Sequence, residues 1–181
     1  MIKKFSRWLL YKRLGWTADV NVELPQKCVI CLAPHTSNWD FVYSMLYGKA
    51  EGLKSNFLMK KEWFFWPLGP IFRKLGGIPV YRNKKSSMTD NLAETAMREK
   101  SVRLAIAPEG TRKANPEWKR GFYYIALKAG IPILLYGLDF ERKLIYCHRS
   151  FVPAGDVEKD MQEIKEYYKD FKGKKPEQFA Y

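Results

Sequence analysis

His35 and Asp40 stand five residues apart in the run His35-Thr-Ser-Asn-Trp-Asp40. An imidazole with one nitrogen held by a carboxylate is set up to take a proton on the other. Five residues rotate a helix by about 500°, or about 140° net, so the two side chains cannot share a helix face. The pairing works if His35 sits on a turn and Asp40 in the first turn of a following helix. Thr36, Ser37 and Asn38 are all helix-capping types, which favours a strand–turn–helix arrangement. A second cluster is Ala107-Pro-Glu-Gly-Thr-Arg112. Pro108 and Gly110 imply a tight loop with a backbone amide available, and Thr111 and Arg112 add a hydroxyl and a planar cation suited to phosphate. A third is Gly77-Ile-Pro-Val-Tyr-Arg82, a strand pattern that would deliver Arg82 to a strand end.

The surrounding pattern alternates short apolar runs with longer mixed segments. Strands are expected over residues 27–33, 56–59, 78–81, 102–107, 131–139 and 142–151. Helices are expected over residues 40–52, 87–100, 118–129 and 157–171, with an aromatic helical segment running to Leu75. Strands alternating with helices predict a single α/β domain with a largely parallel central sheet flanked by helices. All three polar clusters then fall just past strands, where open α/β sheets gather their ligands. The tail after Phe171 is polar and is expected to fray.

Charge sets the range of partners. The chain has 181 residues and a formal net charge of +13. A hydrophobic content of 46% and an aromatic content of 15% exclude a disordered chain. Residues 1–16 carry +5 and residues 54–85 carry +7, so two segments hold 12 of the 13 net charges. Both are interleaved with bulky apolar residues: Phe5, Trp8, Leu9 and Trp16 in the first, Trp63-Phe-Phe-Trp66 in the second. Trp beside Lys and Arg is the composition of a helix lying in a lipid interface, and Ile2, Phe5, Leu9 and Trp16 share one face of a helical wheel. These features favour an anionic membrane surface over nucleic acid as partner. No run reaches the roughly 20 apolar residues of a spanning helix, and Arg7, Lys12 and Arg13 interrupt any signal-peptide pattern. The expected location is cytoplasmic, peripheral at the inner face of the membrane. Cys28 and Cys31 form a C-x-x-C inside an apolar strand pattern, and with Cys147 they fit structural thiols better than a metal or redox pair.

The ordered set of motifs resembles the glycerolipid acyltransferases of the lysophosphatidic acid acyltransferase type. That family carries an H-x4-D block, a G-x4-R block, an E-G-T-R block and a proline-containing apolar block. Here these are His35 to Asp40, Gly77 to Arg82, Glu109 to Arg112 and Gly130-Ile-Pro-Ile-Leu134, so the resemblance covers roughly residues 25–140. It implies a glycerol-3-phosphate acyltransferase-like fold and an O-acyltransferase that moves a fatty acyl group to the free hydroxyl of a lysophosphatidate-like acceptor. The donor it implies is an acyl thioester, acyl-CoA or acyl carrier protein, with no metal, no other cofactor and no covalent acyl-enzyme. His35 would be the general base and Asp40 would orient it. Arg82 would hold the acceptor phosphate, and Glu109, Gly110, Thr111 and Arg112 would shape the acceptor site. Pro34, Ala107 and Leu135 depart from residues common in the family. They surround the acceptor site, which leaves glycerol 3-phosphate, an amino-acid lipid or a lipid A precursor as other acceptors. A non-catalytic basic module binding membrane or nucleic acid is the alternative outside enzymes. The implied organisation is a basic aromatic interface helix over 1–16, an acyltransferase domain over 17–172 and a polar tail over 173–181.

Overall fold

Lys27–Ala33 forms β2, and all of it but Lys27 and Leu32 is buried. Val29, Cys31 and Ala33 point into one apolar core and Cys28 and Ile30 into another. This is the two-residue alternation of a strand covered on both faces. The computed structural model describes residues 1–80 and 88–181. Among these, β2 is joined by β1 (Thr17–Val20), β3 (Asn56–Lys60), β4 (Gly77–Val80), β5 (Val102–Ile106), β6 (Ile133–Asp139), β7 (Leu144–Cys147) and β8 (Ser150–Phe151). The sheet order is β1-β7-β6-β2-β5-β3-β4, with β8 paired to β6. Strands β2 to β6 all run parallel. Only the β1-β7 edge and β8 run against them.

The helices are α1 (Ile2–Arg7), α2 (Asn38–Glu51), α3 (Leu68–Lys74), α4 (Met88–Arg98), α5 (Gly121–Ala129) and α6 (Val157–Tyr168). On one face of the sheet α4, α5 and α6 contribute Leu92, Ala96, Phe122, Ile125, Met161 and Ile164. On the other, α2 and the N-terminal segment contribute Tyr47, Ala50, Leu10 and Trp16. The result is the α/β domain with a largely parallel sheet that the alternating sequence pattern predicts. Cys28, Cys31 and Cys147 are free and buried in it.

Four segments differ from expectation. Helix α1 passes at Trp8 into π-helical winding that runs to Arg13. Such winding bonds five residues back, as Leu14 N–H does to Leu9 O, and it turns the apolar face. Ile2, Phe5 and Trp8 are therefore exposed together, while Leu10 and Trp16 are buried. The aromatic segment is not one helix. It is a 3₁₀ turn over Lys61–Trp63, a break at Pro67 and then α3, with Trp63, Phe65 and Trp66 exposed. The strand expected over 142–151 is two strands, β7 and β8, parted at His148. The tail does not fray. Residues 172–181 pack back onto the domain, Phe179 against Trp118 with ring centroids 6.2 Å apart, and Trp118 Nε1 donates to Ala180 O at 2.9 Å.

Candidate active site

Strands β2 and β5 are paired neighbours, in register from Lys27 with Val102 to Cys31 with Ile106. Parallel pairing sends both C-terminal ends to one edge of the sheet. His35 and Glu109 follow those ends by two and three residues, so the first and second polar clusters meet there.

Ser37 caps α2. Its φ/ψ of −155°/170° is extended, and its Oγ accepts from Trp39 N–H at 3.0 Å. Asp40 closes the capping box from the third helical position. Its Oδ2 accepts from the backbone N–H groups of Thr36 at 2.7 Å and Ser37 at 2.8 Å. Ser37 Oγ lies 3.3 Å from Oδ1. His35 Nδ1 is 3.2 Å from Oδ2. The carboxylate is acceptor-only, so Nδ1 carries the hydrogen that faces it, and Nε2 keeps its lone pair for a ligand. Asp40 is buried, whereas the His35 side chain is 27% exposed. One carboxylate thus caps the helix, ties the turn and orients the imidazole.

Glu109 sits beneath this turn. Its Oε1 accepts from His35 N–H at 2.7 Å, its Oε2 has no partner among the described residues, and the residue is only 3% exposed. Burial dominates and pushes the carboxyl up to about 7, with nearby Asp40 adding to the rise; the His35 N–H bond pulls it back only in part. Glu109 therefore supports the His35 backbone from below and is itself almost wholly buried. The Gly110 amide, expected to be available, donates to Ala107 O within the turn at 3.3 Å. Gly110 has φ +65°, the left-handed conformation that closes this turn. Thr111 Oγ1 accepts from Lys113 N–H at 3.3 Å. The Arg112 guanidinium is exposed and donates to Asn38 Oδ1, so the two motif loops are bonded side chain to side chain as well.

The structure brings together His35, Asp40, Glu109 and Arg112, with Gly110 and Thr111 on the same loop. Arg82 lies outside the described residues. The strand leading toward it, β4, is three places along the sheet from β2 and runs parallel to it, toward the same edge. Gly130 ends α5 with φ +63°, and Ile133 and Leu134 are fully buried, so the proline-containing block builds the core and not the site. Sequence reading did not single out Asn38 as the partner of Arg112, nor any tail residue at the site. The signals available for the tail were Gly173 between lysines and Phe179 in an otherwise polar stretch.

The family model described as Acyltransferase matches residues 19–135, a span that contains His35, Asp40, Glu109 and Arg112. Among solved structures, the chain is similar to the crystal structure of the 1-acyl-sn-glycerophosphate (LPA) acyltransferase PlsC from Thermotoga maritima. The TM-score is 0.58 at 19% identity, over 95% of this chain and 80% of that one. That likeness is one of fold. No curated protein matches the sequence.

Proposed function

The chain belongs to the acyltransferase family, and from that premise we propose that it moves a fatty acyl group from an acyl thioester to the free hydroxyl of a lysophosphatidate-like acceptor. The observation that carries the reading is the His35–Asp40 pair at the C-terminal edge of the sheet, with the Arg112 loop bonded beside it. In this mechanism the acceptor hydroxyl bonds to His35 Nε2 and gives up its proton as its oxygen attacks the thioester carbonyl carbon. Asp40 stabilises the imidazolium that forms. The tetrahedral intermediate then collapses, the C–S bond breaks, and the leaving thiolate takes the proton from His35. Ester and thiol are the products, and the imidazole is neutral again. The thioester is already activated, so deprotonating the alcohol is the main task left to the protein. Arg112 and Arg82 supply the cations that a phosphate needs.

The donor is acyl-CoA or acyl carrier protein, and the reaction needs no metal or further cofactor. The acceptor is reached at an anionic membrane surface, and the protein is peripheral at its inner face. Exposed Ile2, Phe5 and Trp8 on the N-terminal helical segment, and exposed Trp63, Phe65 and Trp66, support that placement. No helix among the described residues is long and apolar enough to cross a membrane. The test is to incubate purified protein with a labelled acyl thioester and a panel of lysophosphatidate, glycerol 3-phosphate, an amino-acid lipid and a lipid A precursor. Labelled phosphatidate is the expected product. Labelling of another acceptor in its place overturns the acceptor assignment, and no labelling of any acceptor overturns the reaction.

A further inference from the structure

Residues 172–181 approach the site more closely than a tail needs to. The Phe171 ring packs against the backbone of β6 at Gly137, where a Cβ would fall 2.2 Å from it. Phe140 N–H then donates to Lys172 O at 2.8 Å. At Gly173 the main chain lies against the His35 turn: a Cβ there would be 2.6 Å from Thr36 Oγ1 and 2.7 Å from Thr36 Cγ2. Lys175 N–H donates to Thr36 Oγ1 at 3.2 Å. With its nitrogen directed inward, the Gln178 amide donates to Thr36 O at 3.1 Å and to Arg112 O at 2.5 Å. Phe179 and Ala180, held on Trp118, anchor the far end.

Thr36 is 1% exposed, and all three of its polar groups are engaged: N–H by Asp40, Oγ1 by Lys175 and C=O by Gln178. It is also the residue next to His35. Gln178 joins it to Arg112 through the two hydrogens of one nitrogen, which a primary amide provides and a carboxylate does not. We propose that residues 173–181 form a positioning clamp for acyl transfer, in which Gln178 sets the spacing between the imidazole that takes the proton and the loop that carries Arg112. The clamp rests on the proposed reaction for its consequence, but not for its existence. Reacting groups displaced by about 1 Å lose rate steeply, so a small relaxation between the two loops is enough to matter.

The informative variant is Gln178→Glu, which keeps shape and length but offers only acceptors to two carbonyl oxygens. Steady-state kinetics with acyl-CoA and lysophosphatidate should show kcat lowered by about tenfold or more. The acceptor KM should rise and the donor KM stay unchanged, in a variant that a cooperative thermal melt shows to be folded. Gln178→Asn, one methylene shorter, should retain part of the activity, and it carries the test if the Glu variant does not fold. Hydrogen exchange should quicken at residues 35–38 and 112–113. A folded variant with parental kinetics and parental exchange overturns the clamp. If the parent fails to acylate lysophosphatidate, the proposed acceptor falls, and the exchange experiment alone decides whether the clamp stands.

Discussion

Replacing Glu109 with Gln gives a measurable test of why this carboxyl is buried beneath His35. Glutamine keeps the Oε1 acceptor for His35 N–H and removes the ionisation; the NH2 it puts in place of the unpartnered Oε2 adds an offset that does not vary with pH. The native carboxyl is raised from 4.5 to about 7, chiefly by burial. In the unfolded chain the proton leaves near the ordinary value; in the folded chain it is kept until about pH 7. Across that window the folded state binds more protons, so the contribution of Glu109 is fully present below about pH 4.5 and is lost as pH rises through about 7. At about 1.4 kcal/mol per pH unit the loss is on the order of 3 kcal/mol, a sizeable fraction of a typical folding free energy. The assay is urea denaturation of parent and Glu109→Gln at pH 5 and pH 8. The difference between the two proteins should change by that order in favour of Gln at pH 8, with other titrating groups cancelling in the comparison. Parallel pH dependence of the two proteins would refute the reasoning, because the carboxyl would then ionise as easily inside as outside.

Four further outcomes are expected. His35→Ala should abolish acyl transfer with the fold intact, because the donors that hold Asp40 remain. Asp40→Asn should lower transfer by about 100-fold or more, while the amide oxygen it keeps can still accept from Thr36 and Ser37 N–H, so the weakened capping box costs at most about 1 kcal/mol, or about 2–4 °C in melting temperature; comparing thermal melts with initial rates separates the two effects. Arg82→Ala should raise the acceptor KM more than the donor KM, and an equal effect on both would argue against phosphate binding there. Sedimentation with anionic vesicles should retain partial binding at raised salt in the parent and lose it when Trp8, Trp63 and Trp66 are replaced by Ala, since screening removes the lysine attraction but not the apolar insertion.

Much of the sheet was legible because its signals are local. Strand β2 matches the apolar run over residues 27–33 residue for residue. Helix α2 begins two residues before the expected start, at Asn38, because Ser37 rather than a later residue takes the cap. Helix α5 begins at Gly121 and not at Trp118, whose N–H is committed to Pro116 O. The His35 turn and the Glu109 loop were readable from spacing because each is held largely within its own few residues. What joins them was not. The Glu109 bond to His35 spans 74 positions and that of Lys175 to Thr36 spans 139. A polar stretch with one glycine carries no local mark that it will be folded back over a turn so far away in the chain.

The way the first twenty residues enter the sheet has a mechanical meaning. Only Leu14, Gly15 and Trp16 separate the N-terminal helix from β1, and Trp16 is buried against Tyr43 and Phe140. Strand β1 is in turn hydrogen-bonded along β7. The helix is further pinned to the last residue of α2, where Arg7 and Tyr11 both reach Glu51, and α2 starts at the His35 turn. If the proposed membrane reading holds, the exposed Ile2, Phe5 and Trp8 face would act as a keel and not as a tether. A lipid surface that seated it would be held at one height relative to the imidazole, through α2. Reach toward the headgroups would then be a dimension of the fold, set by the length of α2.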